Sequence, residues 1–172
     1  MKNDENLLTI SHVSKTYHVD SYEVKAVNDL SLKINKGEFI SIMGPSGCGK
    51  STLMHLLGCL DIPSSGQILF EELNISSLSE KELAKIRNEK IGFVFQMFNL
   101  LPKTTALANV ELPLIYAGIL PNERKKRAKE VLMTVGLENR LFHFPNQLSG
   151  GQQQRIAIAR ALALNPKFLV CD

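Results

Sequence analysis

A glycine-rich stretch in the first third of the chain has the residue types and spacing of a phosphate-binding loop. Residues 44–51, GPSGCGKS, fit the pattern G-x-x-x-x-G-K-[ST]. Glycines let the backbone wrap round phosphate oxygens, and the N-terminus of a following helix adds partial positive charge. Lys50 has the length to reach the β- and γ-phosphates, and the Ser51 hydroxyl can ligate Mg²⁺. The residues predicted to surround the phosphates are Gly44, Pro45, Ser46, Gly47, Cys48, Gly49, Lys50, Ser51 and Thr52. The motif predicts a nucleotide-binding P-loop, a site that kinases, GTPases and motors share.

A second glycine turn, LSGGQQQR at residues 148–155, also precedes a predicted helix. Ser149 and Gln152 have the spacing of a capping box, in which two side chains satisfy two backbone N–H groups. Taken alone, the turn has two interpretations, a simple helix cap or a second anion-binding site.

The elements that must position these turns follow from hydrophobic spacing. Period-two apolar residues predict strands at 7–13 and 30–34, and an unbroken apolar run predicts a buried strand at 38–43 that enters the phosphate loop. A helix is predicted from Ser51 to Leu60. Further strands are predicted at 67–70 and 91–95, and a helix over 79–90 that begins with the capping box of Ser79 and Glu82.

The composition and the hydrophobic spacing of the chain change in its second half. Residues 97–147 are rich in Leu and Pro and show helical spacing from Ala128 to Val135, with Gly136 as a stop signal. We interpret them as a helical subdomain inserted into an α/β core. The helix that follows the second glycine turn leads, through a turn at Asn165 and Pro166, into a buried strand at 168–172.

Composition and charge exclude several classes of protein. The net charge of +3, from 20 basic and 17 acidic residues, is too small to indicate nucleic-acid binding. The densest basic run, residues 123–127, has the pattern of a solvated helix face. Three scattered cysteines indicate neither a disulfide framework nor a zinc site, and they suit a reducing cytosol. The first residues lack the apolar core of a signal peptide, and no apolar run reaches the ~20 residues of a membrane span.

The phosphate loop and LSGGQ together resemble the ATP-binding cassette (ABC) family, and the resemblance covers nearly the whole chain. It implies an α/β P-loop fold with an N-terminal β-rich lobe. Three further residues match family positions in the right order. Tyr17 is similar to the aromatic residue that stacks on adenine, and Gln96 to the glutamine that senses Mg²⁺ and the attacking water. Asp172 is similar to the Walker B carboxylate that holds Mg²⁺, largely through water.

The resemblance also implies why one chain has two anion-binding turns. In the family, two cassettes pair head to tail, and the signature of one caps the γ-phosphate of the ATP bound by the other. Ser149, Gly150, Gly151 and Gln152 are therefore expected to act on the nucleotide of a second copy. Only ATP carries the terminal phosphate that they hold, so they discriminate ATP from ADP.

Longer stretches resemble the branch that serves lipoprotein release, macrolide export and antimicrobial-peptide efflux. In that branch the cassette is cytoplasmic, sits on the inner face of the membrane and drives a separate permease. The strip after Gln96, with Met97, Phe98, Leu100 and Leu101, matches the region that receives the permease's coupling helix. The alternative is that these apolar side chains pack within the helical subdomain.

The sequence departs from the family at its end. The glutamate that usually follows Asp172 as general base, the D-loop and a histidine that grips the γ-phosphate do not appear in residues 1–172. We expect the front part of a longer cassette, and the alternative is a short form that binds nucleotide without turnover. Chromosome-maintenance ATPases also contain cassette-like heads, but residues 52–147 lack the sustained heptads of their coiled coils.

Overall fold

The structure of the protein is a computed structural model, which describes residues 6–19 and 22–172. The chain divides into two compact units, residues 1–84 and residues 85–172.

The first unit is built on an antiparallel sheet of four strands in the order β2-β1-β3-β4. The strands are β1 (Asn6–Val19), β2 (Tyr22–Asn35), β3 (Ser65–Phe70) and β4 (Leu73–Asn74). On the central strand, Leu8 pairs with Phe70 and Ile10 with Ile68, and all four side chains are buried. Alternate apolar residues thus cover one face of the sheet. The predicted strands at 7–13, 30–34 and 67–70 are confirmed.

Helix α1 (Lys50–Leu57) follows the phosphate loop. Leu56 and Leu57 are buried and anchor the helix in the first unit. The helix is shorter than predicted, because Cys59 has a left-handed backbone, φ 57°, and the Leu60 N–H turns back to the His55 carbonyl.

Residues 38–43 do not form the predicted buried strand. Phe39 is 94% exposed and Met43 is 88% exposed. An apolar run becomes a strand only where a neighbouring strand satisfies its backbone groups, and no strand among the described residues pairs with this run. The prediction of a buried strand here is wrong, since the sequence pattern carries no information about the presence of that neighbour.

Helix α2 (Glu80–Lys90) contains the boundary between the two units. The predicted capping box is confirmed: the Ser79 N–H donates to Glu82 Oε2 at 2.8 Å, and the Glu82 N–H donates to Ser79 Oγ at 3.4 Å.

A parallel pair of strands, β5 (Ile91–Val94) and β6 (Phe168–Cys171), lies in the second unit. Both are predicted strands, but the expected burial of β6 is largely wrong. Val170 is buried, whereas Leu169 is 45% exposed and Cys171 is exposed. Successive side chains point to opposite faces of a strand, and only the face that carries Val170 is covered.

The rest of the second unit is helical. It contains α3 (Ala106–Tyr116), α4 (Pro121–Thr134) and α5 (Gly150–Leu162), with single 3₁₀ turns at Glu138–Arg140 and Pro145–Gln147. Gly136, with φ 68°, ends α4 as predicted, and the Leu137 N–H closes the turn on the Leu132 carbonyl. The three helices share one core, to which Ile156 and Ala159 of α5 belong. That residues 97–147 form a separate inserted subdomain stays a prediction.

Candidate functional site

The phosphate loop owes its shape to glycines in left-handed conformations. Gly47 has φ 81° and Gly49 has φ 92°. A Cβ on Gly49 would lie 2.0 Å from the Ala26 carbonyl oxygen of β2, a distance no side chain tolerates, whereas a Cβ on Gly47 would meet nothing within 4 Å among the described residues. Gly49 therefore lets the start of α1 lie directly against the sheet.

The loop presents positive charge and unpaired donors on one exposed surface. Lys50 Nζ donates to the carbonyl oxygens of Gly44, at 2.9 Å, and Pro45, at 2.6 Å. Its ammonium also lies 3.7 Å from Cys48 Sγ. Among the described residues, no side chain caps the N-terminus of α1. The first-turn N–H groups of α1 are thus available to an anion, as the motif predicts.

Tyr17, the predicted base-stacking residue, lies on β1 and is half-buried. Its hydroxyl donates to Asp61 Oδ2 at 2.9 Å. Burial raises the pKa of Tyr17, as does the bond to Asp61, while a side-chain hydrogen bond with Thr52 opposes the rise. The bond to Asp61 thus ties the Tyr17 hydroxyl to the segment that follows α1.

Lys15 and Asp61 complete this group. Lys15 Nζ donates to Asp61 Oδ1 at 2.7 Å and lies 5.0 Å from the centre of the Tyr17 ring. Burial alone would raise the pKa of Asp61, but the hydrogen bonds from Lys15 and Tyr17 outweigh it and hold the pKa below its ordinary value. The carboxylate is therefore ionised at neutral pH and bridges an ammonium and a phenol.

The second glycine turn is a fully formed helix cap. The Ser149 N–H donates to Gln152 Oε1 at 2.9 Å, and the Gln152 N–H donates to Ser149 Oγ at 3.3 Å, so the predicted capping box is confirmed. A Cβ on Gly150 or Gly151 would meet no heavy atom of the described residues within 4 Å. Both glycines are exposed on the surface of the second unit.

Gln96 is exposed in the loop that follows β5, two residues after the strand ends at Val94. Two residues further on, Phe98 and Asn99 both have left-handed backbones, with φ 56° and 48°. Arg160 of α5 holds this pair: its guanidinium donates to the Phe98 carbonyl at 2.8 Å and to the Asn99 carbonyl at 2.6 Å. Burial lowers the pKa of Arg160. Two charge-assisted bonds thus support a backbone conformation that is unfavourable for non-glycine residues.

The apolar strip after Gln96 divides into two kinds of residue. Met97 is 80% exposed and Leu101 is 45% exposed, whereas Phe98 and Leu100 are half-buried. Leu100 packs against the helical core, as the alternative interpretation predicts for the whole strip. An open pocket of about 310 Å³ lies in the same unit. Its lining includes Phe93, Phe95, Asn99, Pro113, Tyr116 and Arg160.

Asp172 follows β6, and its N–H donates to the Val94 carbonyl at 3.0 Å, which continues the pairing with β5. The residue is exposed. Within residues 6–19 and 22–172, no three His, Cys, Asp or Glu side chains gather into a group that could hold a metal ion.

Sequence reasoning missed four residues that order these segments. They are Lys15, Asp61, Asn109 and Arg160. Asn109 is fully buried, accepts from the Leu101 N–H at 2.8 Å, and donates to the Thr104 hydroxyl at 2.7 Å. Asn109, a buried amide inside an apolar helix, has a local signal. The hydrogen bonds that join Lys15, Asp61 and Arg160 to distant segments span 44 to 62 residues.

Comparison with known proteins decides the family. The family described as ABC transporter matches residues 27–172. The chain belongs to the ABC transporter family. This cassette is 54% identical, over 98% of its length and 72% of the relative's, to an uncharacterised ABC transporter ATP-binding protein of Thermotoga maritima. It is 49% identical, over 96% of its length, to the macrolide export ATP-binding/permease protein MacB of Marinobacter nauticus, of which it covers 26%.

Solved structures agree with this assignment. The cassette matches the dimeric structure of a post-hydrolysis state of the ATP-binding cassette MJ0796, from Methanocaldococcus jannaschii, bound to ADP and Pi, with a TM-score of 0.90 and 50% identity. The match covers 96% of this chain and 73% of that one. The predicted fold class, an α/β cassette with a β-rich N-terminal lobe, is confirmed. Among the described residues, the cassette has no helix with the length and apolarity to span a membrane.

Proposed function

We propose that this chain is the ATP-binding subunit of a transporter, which binds and hydrolyses ATP to power a separate membrane permease. The branch is the one that serves macrolide export, lipoprotein release or antimicrobial-peptide efflux. The observation that carries the proposal is the pair of helix N-termini with glycines at the start of the helix, where Gly49 caps α1 and Ser149 caps α5 ahead of Gly150 and Gly151. Family membership supports the same function.

The phosphate loop holds the triphosphate. Lys50 already carries its ammonium inside the loop, where it exchanges two carbonyl partners for phosphate oxygens. The backbone N–H groups at the uncapped start of α1 donate to the same oxygens. We assign the adenine to the Tyr17 ring, whose hydroxyl is tied to Asp61 in the segment that follows α1.

The oxygen donors present suit Mg²⁺ that arrives with the nucleotide. Mg²⁺ keeps several waters and binds through one or two protein oxygens together with substrate phosphates, so a cluster of protein ligands is not required. The Ser51 hydroxyl and the Asp172 carboxylate are the donors of this kind, with the Gln96 amide as a third. When bound, the ion neutralises charge on the phosphates.

Gln96 and Asp172 are the residues we assign to catalysis. Gln96 orients the attacking water through its side-chain amide, and Asp172 supports the metal. The paired hydrogen bonds from Arg160 hold the backbone two and three residues beyond Gln96 and so limit the loop's freedom. Exact placement of a water-orienting group matters because small displacements at a reacting centre reduce the rate strongly.

The second glycine turn acts on the nucleotide of a second copy, in a head-to-tail dimer. Gly150 and Gly151 have no neighbour within 4 Å among the described residues, so this cassette's own packing does not require glycine there. Glycine at the start of a helix lowers its stability relative to alanine. Close approach of another molecule, the γ-phosphate side of the partner's ATP, explains both glycines.

The permease contacts the loop after Gln96. Met97 and Leu101 present apolar side chains to solvent, and the open pocket lined by Phe95 and Tyr116 lies in the same unit. We assign these exposed apolar side chains to the contact with the permease. We therefore propose that the cassette lies in the cytoplasm, at the inner face of the cell membrane, and is bound to the membrane through the permease. Nucleic acid is not a partner.

Phosphate release at saturating MgATP tests the proposed function. We expect turnover by the purified protein that clearly exceeds the turnover of Lys50→Ala, with a rate that rises more steeply than linearly with protein concentration because two copies form each site. Binding of MgATP with no turnover above the Lys50→Ala control would support the alternative, a nucleotide-binding module without catalysis.

A further inference from the structure

The Tyr17 ring is held by a partly buried ion pair that the phosphate-binding motif does not include. The side chains of Lys15 and Asp61 are only 12% and 27% exposed. One carboxylate oxygen of Asp61 accepts from Lys15 and the other accepts from the Tyr17 hydroxyl. Lys15 also donates to the Ile62 carbonyl at 2.8 Å, and the Ile62 N–H donates to Asp61 at 2.8 Å. Every member of the group thus has a partner at hydrogen-bond distance.

This group defines the orientation of the ring. The hydroxyl bond to Asp61 fixes one end of the phenol, and the Lys15 ammonium lies 5.0 Å from the ring centre, within the range of a cation–π contact. A cation over one face of an aromatic ring leaves the opposite face for a second partner. Because the ammonium withdraws electron density from the ring, that opposite face suits an electron-rich base.

We propose that Lys15 and Asp61 are positioning residues for the nucleotide base: together they hold the Tyr17 ring, with one face covered by Lys15 and the other presented to adenine. The proposal rests on the proposed function of Tyr17. Neither residue belongs to the phosphate loop, so we expect their effect on binding to depend on the base. A merely structural ion pair affects every ligand of the loop alike.

Two ligands separate these roles. MgATP contains the base, and magnesium tripolyphosphate contains the same chain of phosphates without it. Titration calorimetry with each ligand gives the ratio of the two affinities, which isolates the contribution of the base. The variants are Asp61→Asn, Lys15→Met, Tyr17→Phe and Tyr17→Ala. The matched controls are Asp29→Asn, whose carboxylate pairs with His12 in the same unit at 2.8 Å, and Lys33→Met, an exposed lysine of β2.

We expect Tyr17→Ala to lower the ratio by roughly 5- to 150-fold, the range of one aromatic stack on a base. Asp61→Asn and Lys15→Met should lower it by about 3- to 10-fold, with tripolyphosphate affinity unchanged, because the ring remains but is no longer held. Tyr17→Phe keeps the ring and loses its bond to Asp61. Its affinity ratio should lie between the ratios of the wild type and Tyr17→Ala. The two controls should leave the ratio unchanged.

The outcomes distinguish this inference from the proposed function. If Tyr17→Ala lowers the ratio while Asp61→Asn and Lys15→Met leave it unchanged, the base stacks on Tyr17 but the ion pair does not position it, and the inference is overturned. If Tyr17→Ala also leaves the ratio unchanged, the assigned base site fails and the inference fails with it. Equal loss of both ligands in Asp61→Asn and Lys15→Met, with circular dichroism unchanged, would show a structural role alone and overturn the inference.

Discussion

The glycine turn at the start of α1 and the glycine turn at the start of α5 are built differently. The turn at the start of α5 is closed by its own side chains, Ser149 and Gln152, which satisfy two backbone N–H groups. The turn before α1 has no side-chain cap among the described residues, and the Lys50 ammonium lies inside it. The first turn has donors for an anion that binds within it, whereas the capping box of the second uses the N–H groups of Ser149 and Gln152 and not those of Gly150 and Gly151.

Their glycines differ in the same way. Gly49 is required by this chain's own fold, because a side chain would collide with the Ala26 carbonyl of β2. Gly151 faces open space among the described residues. A glycine that the packing of its own chain does not require indicates contact with another molecule. Gly49 is therefore part of this chain's own fold, whereas Gly151 is a candidate for contact with a second copy.

The largest effect is expected at the centre of the first turn. Lys50→Ala removes the cation that the loop supplies to the phosphates and should lower the rate of ATP hydrolysis by about 10²–10³-fold. Steady-state phosphate release at saturating MgATP measures this. A rate within threefold of the wild type would mean that the loop binds phosphate without help from Lys50.

Gly49→Ala should destabilise the first unit. Its left-handed backbone and the contact with Ala26 predict a loss of about 1–3 kcal/mol or more in the free energy of unfolding. Urea unfolding monitored by circular dichroism measures it. Gly47→Ala is the matched control, with φ 81° but open space, and should lose only about 1 kcal/mol. Equal losses in the two variants would contradict a requirement set by the sheet.

Gly151→Ala should separate activity from stability. Because a methyl group there meets nothing in this chain, we expect unfolding free energy to rise by up to about 1 kcal/mol. Hydrolysis should fall by roughly 10- to 100-fold, since the methyl group displaces the partner's nucleotide. Gln154→Ala, at an exposed position on the same helix, is the control for both measurements. Unchanged hydrolysis in Gly151→Ala would remove the argument for a second copy at this turn.

Ser149→Ala should destabilise the second unit by about 1 kcal/mol, because the N-cap bond to the Gln152 N–H is lost. Ser149→Thr keeps the hydroxyl and should restore most of that stability. Thermal unfolding of the three proteins measures the difference. An alanine variant as stable as the wild type would show that the capping box contributes nothing to the helix.

The smallest effect concerns Cys48, which is exposed in the first turn. We expect alkylation of its thiol to be slowed several-fold by MgATP, because the nucleotide occupies the loop that contains it. Mass spectrometry of a Cys171→Ser variant follows the reaction without the other exposed cysteine, and Cys59 is buried. Equal labelling rates with and without MgATP would place the nucleotide away from Cys48.

Much of the fold was predictable because its signals are local. The capping boxes of Ser79 and Ser149, the stop at Gly136 and the phosphate loop each depend on residues within a few positions of one another. Residues 38–43 and the burial of β6 could not be predicted. Apolar residues indicate a preference for burial. Whether a neighbouring strand or helix covers them depends on other parts of the protein.

The features of the candidate site also differ in whether their sequence signals are local. The amino-acid sequence by itself determined the two glycine turns, the capping box of Ser149 and the family, because glycine conformations and caps depend on short runs of residues. Only the tertiary structure decided that Asp61 joins Lys15 to Tyr17 and that Arg160 holds Phe98 and Asn99. The physical reason is chain separation: contacts between residues 44 to 62 positions apart exist only after the strands and helices between them have packed.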